Sequence, residues 1–293
     1  MPYPRKRFGQ HWLKDSSVHR AMVAAAGLNV EAMAGQAALP EAAPCVLEIG
    51  PGTGQLTRRL LAAGARVIGV ELDRDLCDGL RRLLGDEDRF ALLEGDILQL
   101  PLPAEPRFIV ANIPYNITSP LLDRVLGSPE HPVGQFDRIV LLVQKELADR
   151  LSAEPNTKAY GAMTVRSRYL ANCETLQSVP RTAFKPPPKV ESAIIRLTPR
   201  SFPTVPADIH WFSILVRQGF ATRRKTLANA LQSLADKPAI YAALESIDRD
   251  PLSRAEALSV SDWIALSDAL LSRRAVESTG ERQPSDSSPS AIS

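Results

Sequence analysis

Cysteine is scarce in this 293-residue chain: Cys45, Cys77 and Cys173 are the only three, far apart and without a CxxC pair. That argues against a disulfide framework or a cysteine zinc site and fits a reducing compartment. Histidine is nearly as rare, and His11, His19, His131 and His210 share no ligand spacing, so no metal is expected. Long apolar runs are missing too. None approaches membrane-spanning length, and the basic N-terminus has no apolar stretch behind it long enough for a signal peptide. The expectation is a soluble, cytoplasmic protein with no membrane partner.

Net charge is also small, at +2, and by itself names no partner. Its distribution says more. Residues 1–20 carry Arg5, Lys6, Arg7, Lys14 and Arg20 against Asp15 alone, and residues 181–200 carry Arg181, Lys185, Lys189, Arg196 and Arg200 against Glu191 alone. Arg217, Arg223, Arg224 and Lys225 follow without an acid among them, whereas acids crowd residues 71–96. Segregated bases of this kind fit a face that meets a polyanion.

The 44% apolar content supports a sizeable core. Residues 1–14 mix base, aromatic and glycine without periodicity and read as an arm; residues 16–38 are Ala-rich and predict one or two helices. From Cys45 short apolar runs alternate with helical segments. Strands are expected at 45–49, 66–70, 90–93, 108–112 and 138–143, with helices at 55–63, 76–84 and 120–126, which means parallel pairing in a doubly wound sheet. Residues 145–170 read as helical, and β-rich runs at 175–179 and 192–197 bracket a Pro-rich loop. Beyond Pro206 the pattern predicts a helix over 211–234 and a last helix to about Leu271, opened by a Ser259/Asp262 capping box. The expected organisation is an arm (1–14), an α/β domain (15–202), a helical domain (203–273) and a Ser/Pro-rich disordered tail (274–293).

Ligands of open parallel sheets bind at the carboxyl ends of the strands. Those ends here are Glu48 with Gly50, then Glu71, Asp96 and Asn112. Gly50, Gly52 and Gly54 let the first turn pass close to a ligand, Glu71 suits the hydroxyls of a ribose, and Asp96 suits an adenine amino group. The dinucleotide fingerprint wants Gly or Ala where Gln55 stands, and the chain has no Tyr-x-x-x-Lys, so S-adenosylmethionine is favoured over NAD. Asn112-Ile113-Pro114-Tyr115 alone could be a strand and its turn. Set beside that cofactor edge, it becomes a candidate reaction centre for a planar amine.

With these motifs, Glu48–Gly54, Val70–Asp73, Gly95-Asp96, Asn112–Asn116, Gln144-Lys145-Glu146, Lys185–Val190 and Arg223-Arg224-Lys225-Thr226 together, the chain resembles the rRNA adenine N6,N6-dimethyltransferase family, most closely its bacterial small-subunit branch, over about residues 5–272. The resemblance implies an α/β fold: a class I (Rossmann-like) S-adenosylmethionine-dependent methyltransferase domain with a small all-helical C-terminal domain. It implies dimethylation of two adjacent adenines in the 3′-terminal hairpin loop of small-subunit rRNA, within an assembling small ribosomal subunit, by a monomer.

The arm Arg5-Lys6-Arg7-Phe8-Gly9-Gln10 with Leu13 also matches the family, so His11 and Leu13 are expected at the cofactor, although many relatives carry Asn where His11 stands. Ile97 joins Gly50, Gly52, Glu71, Asp96 and Asn112 in that expected cofactor set. For the reaction, the Asn112 side-chain oxygen and a carbonyl near Ile113 or Pro114 would accept the N6 hydrogens, Pro114 would aim that carbonyl, and Tyr115 would stack on the base. Phe184 would cover the other face, or else pack within the hairpin. Arg5, Lys6, Arg7, Lys185, Lys189 and, on a long helix, Arg223, Arg224 and Lys225 would contact RNA phosphates. The competing readings are a large-subunit rRNA adenine methyltransferase of the resistance type, a DNA adenine methyltransferase and a non-catalytic rRNA-binding assembly factor.

Overall fold

The computed structural model describes residues 10–28 and 43–280. Arg5, Lys6 and Arg7, the second half of the 16–38 helical stretch and the end of the expected tail lie outside the described residues. The chain divides into two compact units, Met1–Phe202 and Pro203–Ser293.

The first unit is built on a seven-stranded sheet. Its strands are β2 (Cys45–Ile49), β3 (Arg66–Glu71), β4 (Phe90–Glu94), β5 (Phe108–Asn112), β6 (Arg138–Gln144), β7 (Ala171–Val179) and β9 (Ser192–Pro199), in the order β4-β3-β2-β5-β6-β9-β7. The five strands from β4 to β6 are parallel, as expected; β9 and β7 extend the sheet antiparallel, making it mixed. Val46, Leu47, Ile109, Val110, Val140 and Leu142 are fully buried, because a parallel sheet covered on both faces demands continuous apolar runs. The helices are α1 (Ser16–Ala25), α2 (Gln55–Ala62), α3 (Arg74–Leu84), α4 (Thr118–Leu126), α5 (Lys145–Leu151) and α6 (Ala162–Leu170). The chain order reverses between β2 and β5, so the crevice at their carboxyl ends is the topological switch point.

Two expectations need correction in this unit. The 145–170 stretch is two helices, because Pro155 lacks an amide hydrogen and Asn156 adopts a left-handed φ of 65°. The arm is not wholly irregular: β1 (Trp12–Leu13) pairs antiparallel with β8 (Phe184–Lys185), and Leu13 is buried. The Lys14 amide also donates to the Ala183 carbonyl at 2.9 Å, extending that clasp.

The second unit holds α7 (Ile209–Gly219), α8 (Leu227–Ala230), α9 (Lys237–Ser246) and α10 (Val260–Gly280) around Trp211, Phe212, Leu244 and Trp263. The helix expected over 211–234 ends instead at Gly219, and residues 221–226 form turns. Thus Arg223, Arg224 and Lys225 project from a loop, not from a helix. The capping box forms as expected: the Ser259 amide donates to Asp262 Oδ2 at 2.9 Å and the Asp262 amide to Ser259 Oγ at 3.2 Å. Its helix runs past Leu271 to Gly280, so residues 274–280 are helical where a disordered tail was expected; Arg274, Ala275 and Glu277 are good helix formers.

Candidate active site

The switch point opens into a cavity of about 430 Å³. The turn after β2 forms its floor. Gly50 and Gly52 there have φ of 68° and 60°, a region that side chains with Cβ rarely enter. A Cβ added at Gly50 would meet nothing within 4 Å, so this loop faces open space, the room a ligand needs.

At the end of β3, Glu71 is buried and its carboxylate is already engaged. Oε1 accepts from the Leu72 and Asp73 amides at 3.0 and 2.9 Å, and Oε2 from the Gly52 amide at 3.0 Å. A carboxylate has about four lone-pair positions. Three are taken by amides, so Glu71 keeps acceptor capacity for a ligand hydroxyl without giving up its amide bonds. Burial raises its pKa, and the three amide bonds oppose that rise. After β4, Asp96 Oδ1 accepts from the Leu98 amide at 2.9 Å, which fixes the turn, and the buried Ile97 follows at the cavity wall.

At the end of β5, across the switch point from β3 and β4, Asn112, Pro114 and Tyr115 also line the cavity. Pro114 has φ of −59° and ψ of 133°, and its carbonyl accepts from the Ile117 amide at 3.2 Å. The second lone pair of that oxygen is left over. The Asn112 amide nitrogen makes a long 3.5 Å contact to the His11 carbonyl, which leaves its side-chain oxygen for other use. Tyr115 is half-buried; its hydroxyl lies 2.6 Å from the Ser192 hydroxyl, and burial holds it above the usual phenol range.

The arm closes the cavity. His11 shares a 2.8 Å hydrogen bond between Nδ1 and the Pro186 carbonyl, and its ring stacks loosely on Tyr115, with centroids 6.0 Å apart. Its side chain is therefore committed to the protein. Leu13 and Phe184 face each other in the β1–β8 ribbon and both line the cavity. Phe184 is only 2% exposed and belongs to a core cluster with Leu13, Val179 and Ile194, so it packs within the fold and forms cavity wall at once.

The cavity thus brings together His11, Leu13, Gly50, Gly52, Glu71, Asp96, Ile97, Asn112, Pro114, Tyr115 and Phe184. Lys185 and Lys189 are exposed beside it in sequence but are not in its lining, and Arg223, Arg224 and Lys225 are exposed in the second unit.

Two titratable lining residues, Glu48 and His19, stand outside the expected cofactor and reaction sets. Glu48 is 1% exposed, and desolvation, with repulsion from Glu71, pushes its pKa up to about 8. His19 is buried, and desolvation, with the nearby Arg59 charge, pushes it down to about 4, so it is neutral. The signal for His19 was present: with Val18, Met22 and Val23 it sits in the buried stripe of α1.

The residues fit S-adenosylmethionine. Close backbone approach at Gly50, a spare acceptor on Glu71, and a lining that contains Glu48, Glu71 and Asp96 but no Lys or Arg among the described residues suit a nucleoside carrying positive charge.

Comparison with known proteins agrees in direction. The family model described as ribosomal RNA adenine dimethylase matches residues 3–270. A protein of Synechococcus sp. (strain JA-3-3Ab) named ribosomal RNA small subunit methyltransferase A is 58% identical over 287 residues, covering 97% of this chain and 100% of its own. A protein of the same name from Synechococcus sp. (strain JA-2-3B'a(2-13)) is 59% identical over 288 residues, with 97% and 100% covered. Among solved structures, a dimethyladenosine transferase from Plasmodium falciparum superposes with a TM-score of 0.72 at 27% identity, covering 87% of this chain and 96% of that one. The 23S rRNA methyltransferase ErmE gives 0.70 at 27% identity, with 88% and 99% covered.

Proposed function

The chain belongs to the ribosomal RNA adenine dimethylase family, and on that premise we propose how its cavity works. It is an S-adenosylmethionine-dependent methyltransferase that dimethylates N6 of adenine in small-subunit rRNA. The finer reading is that the targets are two adjacent adenines in the 3′-terminal hairpin loop, modified in an assembling subunit in the cytoplasm by a monomer. Among the described residues no helix is long and apolar enough to cross a membrane.

The observation that carries the mechanism is one cavity lined both by Gly50, Glu71 and Asp96, which follow β2, β3 and β4 on one side of the switch point, and by Asn112 to Tyr115, which follow β5 on the other. When bound, S-adenosylmethionine supplies a methyl group activated by a positively charged sulfur. Gly50 and Gly52 admit it closely, Glu71 accepts a ribose hydroxyl, and Asp96 accepts from the adenine amino group of the cofactor. The amine of the target base is a poor nucleophile because its lone pair is delocalised into the ring. The Asn112 side-chain oxygen and the free lone pair on the Pro114 carbonyl accept its two hydrogens, which draws the nitrogen toward tetrahedral geometry. Tyr115 stacks on the base, with its ring held by Ser192, and Phe184 walls the far side.

No general base is needed, since the methylated amine becomes acidic enough to lose its proton to water. Catalysis is then mostly positioning, a contribution of about 7–11 kcal/mol where reacting atoms are held in near-attack geometry. The exposed bases Lys185, Lys189, Arg223, Arg224 and Lys225 contact phosphates, as would Arg5, Lys6 and Arg7 of the arm.

The test is transfer of labelled methyl groups to small-subunit particles from an unmethylated strain, with the modified nucleotides mapped. Label confined to two neighbouring adenines of the terminal hairpin is expected. Label in large-subunit RNA alone would favour the resistance-type reading, and cofactor binding without transfer would favour a non-catalytic factor.

A further inference from the structure

Glu48 has no role in the reaction described above, yet its environment is the most unusual in the cavity. It is the fourth of the five residues of β2 and only 1% exposed, and its Oε2 has no hydrogen-bond partner among the described residues. Thr57, near the start of α2, lies close enough to favour the carboxylate, but neither its hydroxyl nor Glu48 Oε2 completes a hydrogen bond in good geometry. An ionised carboxylate there would leave Oε2 buried without a partner, a cost proteins avoid by pairing the group or keeping it neutral.

The titratable neighbours do not supply a partner. Glu71 at the end of β3 and Asp96 after β4 carry the same charge; His19 on α1 is neutral; Tyr115 after β5 is a phenol; His11 comes from the arm and is tied to Pro186. With three carboxylates and no Lys or Arg in its described lining, the cavity is built to receive positive charge. S-adenosylmethionine carries two cationic groups, its sulfonium and its α-ammonium.

We propose that Glu48 is a proton-linked counter-charge for the cofactor: a neutral carboxylic acid in the free cavity that gives its proton to solvent as a cationic ligand group enters. The balance is simple. The protonated Glu48 side chain and the cationic ligand become an ion pair plus one proton released to bulk water, and no covalent bond other than that O–H is broken. The burial that raises the Glu48 pKa to about 8 keeps the free form protonated at neutral pH. The inference rests on the cofactor named above, and the experiment separates the two.

Isothermal titration calorimetry of the full-length protein with S-adenosylmethionine, at pH 7 in phosphate and in Tris, reads the protons exchanged from the difference in heats. Close to one proton released per cofactor bound is expected, with affinity rising by about tenfold per pH unit between pH 6 and 7.5. In Glu48→Gln, which copies the neutral acid, the release and the pH dependence should both vanish and affinity at pH 7.5 should fall by about tenfold or more. 5′-Methylthioadenosine, which lacks both cationic groups, should bind wild type and variant alike without releasing a proton, and so also reports that the variant is folded. S-adenosylhomocysteine keeps the ammonium alone: release with it assigns the partner as the ammonium, and release with S-adenosylmethionine only assigns the sulfonium. Tight S-adenosylmethionine binding with no proton released by wild type, equal release by Glu48→Gln, or equal release with methylthioadenosine overturns the proposal. Failure of S-adenosylmethionine to bind at all overturns the functional reading beneath it.

Discussion

The Tyr115 and Ser192 hydroxyls lie 2.6 Å apart, joining the turn after β5 to the first residue of β9 across 77 positions of sequence. The two partners are not equally sheltered: Ser192 is fully buried and Tyr115 is half-buried. Removing one hydroxyl therefore has an asymmetric effect. Tyr115→Phe leaves the Ser192 oxygen orphaned in the core and should cost about 1–3 kcal/mol, whereas Ser192→Ala leaves a phenol that water can reach and should cost about 1 kcal/mol or less. Chemical denaturation of both single variants and the double variant would show it. Because the ring remains, Tyr115→Phe should methylate far better than Tyr115→Ala, which also loses about 1–3 kcal/mol of base stacking.

Two glycines with similar φ should behave oppositely. Gly50 and Gly127 have φ of 68° and 80°, so alanine at either is strained by roughly 1–3 kcal/mol. At Gly50 the added methyl group meets nothing within 4 Å and enters ligand space, whereas at Gly127 it would lie 2.1 Å from the His131 carbonyl oxygen. Gly50→Ala should thus weaken S-adenosylmethionine binding with a modest loss of stability. Gly127→Ala should lower the melting temperature more and leave the affinity of the folded fraction unchanged. Thermal melts paired with cofactor titration separate the two outcomes.

On the proposed mechanism, Asn112 would hold the target amine through its side-chain oxygen. Asn112→Ala should lower single-turnover methylation by about 100- to 1,000-fold, the range seen when one preorganised polar group is removed from a reaction centre. Cofactor affinity should change much less, since the remaining cofactor wall is untouched. A single-turnover rate within a factor of three of wild type would remove Asn112 from the reaction centre.

The pH dependence of stability follows from Glu48 and His19 with opposite signs. Glu48 is raised from 4.5 to about 8 in the folded protein, so its contribution is fully present below pH 4.5 and is lost as pH rises through 8. His19 is lowered from 6.5 to about 4, so its contribution is present above pH 6.5 and lost as pH falls toward 4. Both wild type and Glu48→Gln retain His19, so its effect cancels in their difference. Without cofactor, the variant should therefore gain stability relative to wild type as pH rises from 5.5 to 7.5. Urea midpoints at the two pH values measure that gain, and a constant difference would contradict it.

What the sequence showed and what it hid divide along physical lines. The parallel strands were legible because Cys45–Ile49 and Phe108–Asn112 are apolar runs buried on both faces, and the polar residues that end them mark one sheet edge without further information. The helix over 211–234 misled because Phe220, Leu227 and Leu231 keep helical spacing across the gap. In the fold, Gly219 is a close-contact site where a Cβ would lie 2.4 Å from Trp263, and residues 221–226 contain no large apolar side chain to bury. β1 was invisible because two residues carry no period. The Tyr115–Ser192 bond and the isolation of Glu48 arise from tertiary placement, so no spacing along the chain could announce them.

The basic turn supplies the last prediction. Arg224 and Lys225 are exposed, and the Lys225 amide donates to the Thr222 carbonyl at 3.1 Å, so the turn has its own backbone support. Removing both charges should then leave the fold of the second unit intact. If both contact phosphates, each releases condensed counterions on binding, and the slope of log affinity against log salt should become shallower by about one unit for each phosphate no longer neutralised. Arg224→Ala combined with Lys225→Ala should weaken binding to small-subunit particles at 50 mM salt, and the deficit should shrink as salt rises toward 200 mM. Cofactor affinity should be unchanged, because neither residue lines the cavity. Filter binding across that salt range measures the slope. An unchanged slope would show that these two charges are solvated in the complex and that the RNA footprint lies on Lys185, Lys189 and the arm instead.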